Sequence, residues 1–253
     1  MNLFSLEDKT ALVIGGSGVI GSALAEGLAG HGARVAVAGR NPAKIDGVVT
    51  QLQKMEFSTE GFRCDVTSRV SLASLVKEVL AWGERIDILV NCAGVNSRTP
   101  FSEILESEWQ EIMDLNAKGV FLACQVVAPE MLAVGGGSII NISSVSSGPP
   151  LSGVFTYSAS KAAVNSMTQY LARELAPTVR VNAIIPGFFP AEQNRKILTE
   201  ARIRDICQHT PMARLGDAKE LQGAVVWLAS PAASGFVTGS LVRVDGGFSA
   251  MTI

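Results

Sequence analysis

Tyr157 and Lys161 stand four residues apart in the run YSASK, and Ser144 closes the run IINISS thirteen residues before Tyr157. On a helix that spacing puts the phenol and the amine on one face. A free tyrosine titrates near pH ~10, too high for a good base at neutral pH. A neighbouring ammonium favours the phenolate, each pKa unit downward being worth roughly 1.4 kcal/mol of differential stabilisation. The chemistry such a pair supports is proton exchange with a carbonyl or an alcohol oxygen. Ser144, at the carboxyl end of an apolar strand, supplies a hydroxyl to hold that oxygen. Ser143, Ser146 and Ser147 crowd around it, so a plain loop role for the cluster, or Ser143 as the hydroxyl, is the competing reading.

Interconverting a carbonyl and an alcohol also requires a hydride carrier, and the run IGGSGVIG at Ile14 to Gly21 has the spacing to hold one. Gly16, Gly18 and Gly21 match G-x-G-x-x-G after a first strand and at the opening of a first helix. In that pattern the first glycine permits a tight turn, the second lets backbone approach a pyrophosphate, and the third allows close helix-to-strand packing. The helix N-terminus offers free N–H groups and a positive dipole end to the phosphates. Gly15, Ser17, Val19 and Ile20 fall in the same loop and are expected against the cofactor.

The second strand ends VAVAGRN, with Gly39 at the position where an acidic residue would bind the 2'-hydroxyl of NAD, and Arg40 next. A guanidinium there bonds a 2'-phosphate through two N–H groups and stacks on adenine. NADP(H) is therefore favoured over NAD(H), with an ordinary solvated charge as the alternative for Arg40. Asp65, closing the third strand candidate in CDV, is placed either to meet the adenine or to cap the next helix.

These residues need a scaffold, and the chain supplies one. Short apolar runs begin at Thr10, Ala33, Gly61, Ile86, Gly137, Val179 and Ser240, each followed by a longer stretch or a turn. Nearly continuous apolar runs suit parallel strands covered on both faces. Helices lie between them, such as Ile20 to Ala29 with Ile20, Leu24 and Leu28 on one face. The pattern predicts an α/β fold of Rossmann type: a doubly wound, seven-stranded parallel sheet with helices on both faces. No linker divides residues 1–253, so a single domain is expected.

With 253 residues, 47% hydrophobic and 17% charged, the chain has a globular composition. A net charge of -2 gives no basic field for nucleic acid. The first residues lack a basic region ahead of an apolar stretch, and no apolar run nears a membrane span. Cys64, Cys92, Cys124 and Cys207 are scattered with only two histidines, against a metal cage and in favour of reduced thiols in a cytoplasmic protein.

NCAG at Asn91 to Gly94, LNAKGVF around Asn116, IINISS, YSASK, PG at Pro186 and Gly187, and VDGG at Val244 to Gly247 together resemble the short-chain dehydrogenase/reductase family over essentially the whole chain. That resemblance implies a catalytic set of Asn116, Ser144, Tyr157 and Lys161, with Lys161 also bonding the nicotinamide ribose and Asn116 supporting a water-linked proton relay. It further implies cofactor contacts at Val66, Asn91, Ala93, Gly94, Pro186 and Gly187, with Tyr157 and Lys161 at the nicotinamide end. It also implies a homo-oligomer, dimer or tetramer, through the long helices between Trp109 and Met131 and after Tyr157, where core packing is the competing explanation. Two departures stand out. The family loop T-G-x-x-x-G-x-G meets Ile14 for its threonine and Val19 for its middle glycine, and the threonine common after PG is replaced around Pro190 and Ala191.

The segment from about residue 188 to 212 is where the family varies its substrate loop. Here its polar, basic stretch, with PGFF, EQNR and the ending GGFSAMTI, resembles the sugar-acid branch, which acts on keto-hexonates such as fructuronate or on gluconate at C5. In that reading Arg98 or Arg195 binds a carboxylate, Gln193 and Asn194 bind hydroxyls, and Phe188 and Phe189 wall the nicotinamide side. A solvated helix face accounts equally for the basic residues. A 3-ketoacyl thioester is the alternative substrate, and a non-catalytic NADP-sensing regulator the alternative class.

Overall fold

The computed structural model of the chain describes residues 2–190 and 199–251. Seven strands form one parallel sheet in the order β3-β2-β1-β4-β5-β6-β7. They are β1 Thr10–Ile14, β2 Arg34–Gly39, β3 Thr59–Arg63, β4 Ile88–Asn91, β5 Gly137–Ile142, β6 Val179–Pro186 and β7 Leu241–Val244. All seven expected strands are present. The third begins two residues earlier than its apolar run and ends at Arg63, so Cys64 and Asp65 lie in the loop beyond it.

Side chains alternate across the sheet with period two. Leu12 and Ile14 enter one core with Leu72 and Leu75 of α3 (Arg69–Gly83), Ala123 and Val127 of α5 (Gly119–Ala133) and Val164 of α6 (Phe155–Glu174). Ala11 and Val13 enter the other with Leu24 and Leu28 of α1 (Val19–Ala29), Ile45 and Val49 of α2 (Pro42–Gln53) and Val225 of α8 (Gln222–Ala229). Each fully buried leucine or valine contributes about 1.5–3 kcal/mol through the surface it removes from water. Both sheet faces are therefore dry, and ligands are left the carboxyl edge.

At that edge β1 pairs with β2 on one side and β4 on the other, Ile14 lying opposite Ala38 and Asn91. The chain winds outward in opposite directions from this point, and the crevice so formed is where open α/β sheets take ligands. Register also brings Asn91 opposite Asn141, so β4 and β5 end level with each other.

The long helix expected between Trp109 and Met131 is not continuous. It is α4 (Glu106–Met113), a π-helical turn over Asp114–Lys118 and then α5. Apolar periodicity does not register such a turn, because the insertion leaves the flanking helices collinear; π turns of this kind often mark functional sites. Asn116 sits inside it, fully buried. Two further helices, α7 (Glu200–His209) and α9 (Pro231–Ser234), complete the fold. Among the described residues no helix is long and apolar enough to cross a membrane.

Candidate active site

A cleft of about 330 Å³ opens at the switch point. Its floor is the glycine loop, Arg40 stands at one end, and Ser144, Tyr157 and Lys161 stand at the other. Gly15, Ser17, Gly18, Val19, Ile20, Val66, Ala93, Gly94, Pro186 and Gly187 line it between them.

The loop has the form a dinucleotide needs. Gly15 has φ of +82°, and a Cβ there would come within 2.5 Å of the Ala93 nitrogen. A Cβ at Gly16 would lie 2.9 Å from the Val13 oxygen, and one at Gly21 would lie 2.8 Å from the Gly15 carbonyl carbon. Gly18 differs, since its nearest neighbour would be 3.5 Å away. It serves as the N-cap of α1, where no side chain bonds the first turn. Those N–H groups face the cleft with the positive end of the helix dipole, as a pyrophosphate requires. The left-handed turn thus belongs to Gly15, one residue before the place that the G-x-G-x-x-G reading gave it. Val19, 42% exposed, fills the place of the family's middle glycine on the cleft wall.

At the Arg40 end, Gly39 closes β2, and a Cβ there would lie 3.0 Å from Ser17 Oγ. An acidic side chain would have to displace that hydroxyl. Asn41 and Lys44 join Arg40 on the wall. Asn41 accepts a bond from the Lys44 N–H at 3.2 Å, and Pro42 opens α2, so the chain turns sharply and brings Lys44 back beside the cleft. Lys44 was missed in the sequence; its signal was the spacing of four from Arg40 across a capped helix start. Asp65 is exposed, and its Oδ1 accepts from the Thr67 N–H at 3.0 Å and the Thr67 hydroxyl at 2.8 Å. Those bonds hold its carboxyl below the usual range, with a smaller effect of Arg40. It shapes the turn before α3 and stands outside the cleft lining.

At the other end the Ser144 side chain stands close enough to the Tyr157 hydroxyl to ease its ionisation. Ser146 donates to Ser144 Oγ twice, from its N–H at 3.2 Å and its hydroxyl at 3.1 Å. Ser143 turns away and donates to the Lys161 carbonyl at 3.3 Å. Of the two serines, Ser144 is the one that meets the tyrosine. Lys161, 4% exposed, donates to the Ile142 carbonyl at 2.8 Å, and its Nζ stands 5.7 Å from the Tyr157 ring centroid.

The direction of the tyrosine's acidity differs from the expectation. Burial pushes Tyr157 above its ordinary value, the Ser144 side chain opposing and the Cys92 thiol adding to the rise. Burial also pulls Lys161 down to about 8, against support from Cys92. The helix places the amine on the correct face, but the dry wall outweighs it.

A stability effect follows from that lysine. In the unfolded chain Lys161 holds its proton up to about its ordinary 10.5, whereas folded it releases it near 8. Between those values the unfolded chain binds more protons, so the cost of burying the ammonium is relieved as pH rises and is fully present below about pH 8. Lys161→Met removes that cost. The stability of the variant minus that of the native chain is expected to shrink by roughly 2 kcal/mol between about pH 7 and pH 10, measured from urea midpoints. Cys92 and Cys124, pushed up to about 11 and about 12 by burial, act oppositely in both proteins and largely cancel.

Asn116 reaches none of these groups directly. Its Oδ1 accepts from the Val95 N–H at 2.9 Å, and its Nδ2 donates to the Val95 carbonyl at 2.9 Å and to Ser160 Oγ at 3.0 Å. The side chain thus ties the loop after β4 to α6. Asn91 also lies behind the cleft, donating to Asn141 Oδ1 at 2.9 Å. Phe189 lines the cleft and is 4% exposed, while Phe188 packs on Phe248 with ring centroids 5.0 Å apart. Arg98 is exposed on the loop after β4. Gln193, Asn194 and Arg195 lie outside the described residues.

The comparisons with known proteins bear on the family and the fold. The family model described as Enoyl-(Acyl carrier protein) reductase matches residues 16–249. An uncharacterized oxidoreductase, UxuB of Bacillus subtilis, is 38% identical, with 97% of this chain and 96% of the relative covered. The gluconate 5-dehydrogenase of Gluconobacter oxydans is 36% identical over 98% and 97%. The crystal structure of a gluconate 5-dehydrogenase from Burkholderia cenocepacia in complex with NADP and tartrate superposes with a TM-score of 0.95 at 35% identity, covering 99% of each chain. With a family match over nearly its full length and the fold to go with it, the chain belongs to the short-chain dehydrogenase/reductase family of oxidoreductases.

Proposed function

We propose that the protein interconverts a carbonyl and a secondary alcohol with NADP(H), and that its substrate is a keto sugar acid or the corresponding polyol acid. The observation that carries the reaction class is that Ser144, Tyr157 and Lys161 together line one end of a cleft whose other end is the glycine loop with Arg40. The bound nucleotide supplies or accepts the hydride. Ser144 holds the substrate oxygen, and Tyr157 gives it a proton in reduction or takes one in oxidation. Lys161, charged at neutral pH, and the loop pinned by Asn116 fix the nicotinamide end. Phe189 keeps water from the reacting face.

Similarity to gluconate 5-dehydrogenases supports the sugar-acid substrate, and exposed Arg98, whose stem rests over Gly153 four residues before Tyr157, suits its carboxylate. The description of the matching family model favours an acyl thioester as the second reading. A panel of 5-keto-D-gluconate, fructuronate and a 3-ketoacyl thioester, assayed with NADPH and NADH by absorbance, separates the two. Turnover of the thioester alone overturns the sugar-acid assignment.

Arg40, with Lys44 on the same wall, favours the phosphorylated nucleotide. Arg40→Ser is expected to weaken NADPH binding about 10- to 100-fold, as losing one charged hydrogen-bonding partner of ~1.5–3 kcal/mol implies, and to leave NADH nearly unchanged. Titration with both nucleotides checks it; equal losses would remove Arg40 from phosphate recognition. A homo-oligomer in the cytoplasm completes the reading. The cluster of Phe101, Phe155 and Trp109 and the exposed Phe121 and Leu105 give α4, α5 and α6 an apolar outer face, and all four thiols are free.

A further inference from the structure

We infer that Arg202, on the first turn of α7, and Arg98 form a two-guanidinium clamp that selects substrates by a carboxylate. The inference rests on carbonyl chemistry at Tyr157 and deepens it by naming what reads the substrate's charge.

The course of α7 carries the first step. Its carboxyl end is anchored beyond β6, where the rings of His209 and Phe248 stand 4.6 Å apart and Phe248 packs on Phe188. Its amino end approaches the loop after β4, because Arg98 is close enough to act on Arg202. Ten residues of helix span about 15 Å, and β6 and β4 are two strand spacings, about 10 Å, apart. That length suffices to reach from beyond β6 across the end of β5, from which Ser144 emerges.

The side chains carry the second. The stem of Arg98 rests over Gly153, its Nε 3.1 Å and its Cγ 3.2 Å from where a Cβ would stand. Gly153 has φ of +76° and lies four residues before Tyr157, so the guanidinium is held beside the reacting end by a backbone turn that excludes larger residues. Arg202 is partly buried, and its Nε is shielded from solvent with no hydrogen-bond partner among the described residues. Among the described residues neither guanidinium forms an ion pair. Burial and then the Arg98 charge disfavour the Arg202 cation, while Asp205 favours it. A shielded donor facing a like charge is costly alone. A carboxylate between the two satisfies the donor and cancels the repulsion, and guanidinium forks match its two oxygens.

The test compares an acid with a neutral ketose in the same protein: kcat/KM for 5-keto-D-gluconate and for L-sorbose with NADPH, in native protein, Arg202→Met and Arg202→Lys. Arg202→Met is expected to lower the acid-to-neutral ratio about 10- to 100-fold, mostly through KM, and the lysine variant to keep part of it. Thermal midpoints and NADPH affinity establish that the variants are folded. An unchanged ratio in Arg202→Met overturns the clamp. A native protein that reduces no sugar acid, yet prefers acetoacetate to acetone in an Arg202-dependent way, sinks the sugar reading and supports the clamp. No preference for the acid in either pair overturns it.

Discussion

Tyr157→Phe is expected to lower turnover by about 10²- to 10⁴-fold, the usual contribution of a positioned acid or base. The phenyl ring keeps its packing, and Lys161 keeps its bond to the Ile142 carbonyl. What is lost is the phenolic hydroxyl that stands beside Ser144 at the reacting end of the cleft. Because that oxygen acts on the reacting atoms, kcat and kcat/KM should fall together while NADPH affinity stays within a few-fold. The direction of the tyrosine's shift adds a second, independent signature. A phenol held above its ordinary value by burial carries its proton at neutral pH and is ready as an acid. Carbonyl reduction should therefore proceed without base, whereas alcohol oxidation should rise as pH is raised. Full turnover in the phenylalanine variant would place proton transfer on another group.

That signature was not legible in the sequence, and the reason is physical. Spacing of four residues correctly put Lys161 on the same helical face as Tyr157, but acidity depends on how dry the wall is, and dryness is set by Cys92, Ile142 and the helix around them. The seven strands were legible because apolar runs in a parallel sheet are nearly continuous; their ends were less so, as β3 shows by starting at Thr59 rather than Gly61. The π turn at Asn116 leaves no periodic trace, since neighbouring helices keep their apolar faces. Ser143 and Ser144 could not be told apart by type, only by which hydroxyl the end of β5 turns toward the tyrosine. Asp65 and Asn91 sat in the expected places along the chain, yet their side chains bond Thr67 and Asn141.

The glycine loop gives the other large effect: Gly21→Ala is expected to destabilise the protein by about 1–3 kcal/mol or more and to weaken nucleotide binding at least tenfold. Taken alone, alanine inside a helix is favoured over glycine by roughly 1 kcal/mol, so a stabilised variant is the naive outcome. The contact decides otherwise. The new methyl would lie 2.8 Å from the Gly15 carbonyl carbon and 2.9 Å from the Gly16 Cα, and closer still to the Gly15 oxygen. Gly15 cannot retreat, because its N–H is bonded to the Ala38 carbonyl at 2.8 Å and the Ala93 backbone fills the space where its own side chain would be. The helix must move instead, drawing Leu24 and Leu28 from the core and turning the first-turn N–H groups away from the phosphates. Gly18→Ala is the control for stability, since its methyl would meet nothing closer than 3.5 Å and its φ of -83° suits any residue. Urea midpoints and NADPH titration read both variants. If Gly21→Ala were as stable as the native chain and bound NADPH as tightly, close approach of α1 to the β1 turn would not be what shapes the cradle.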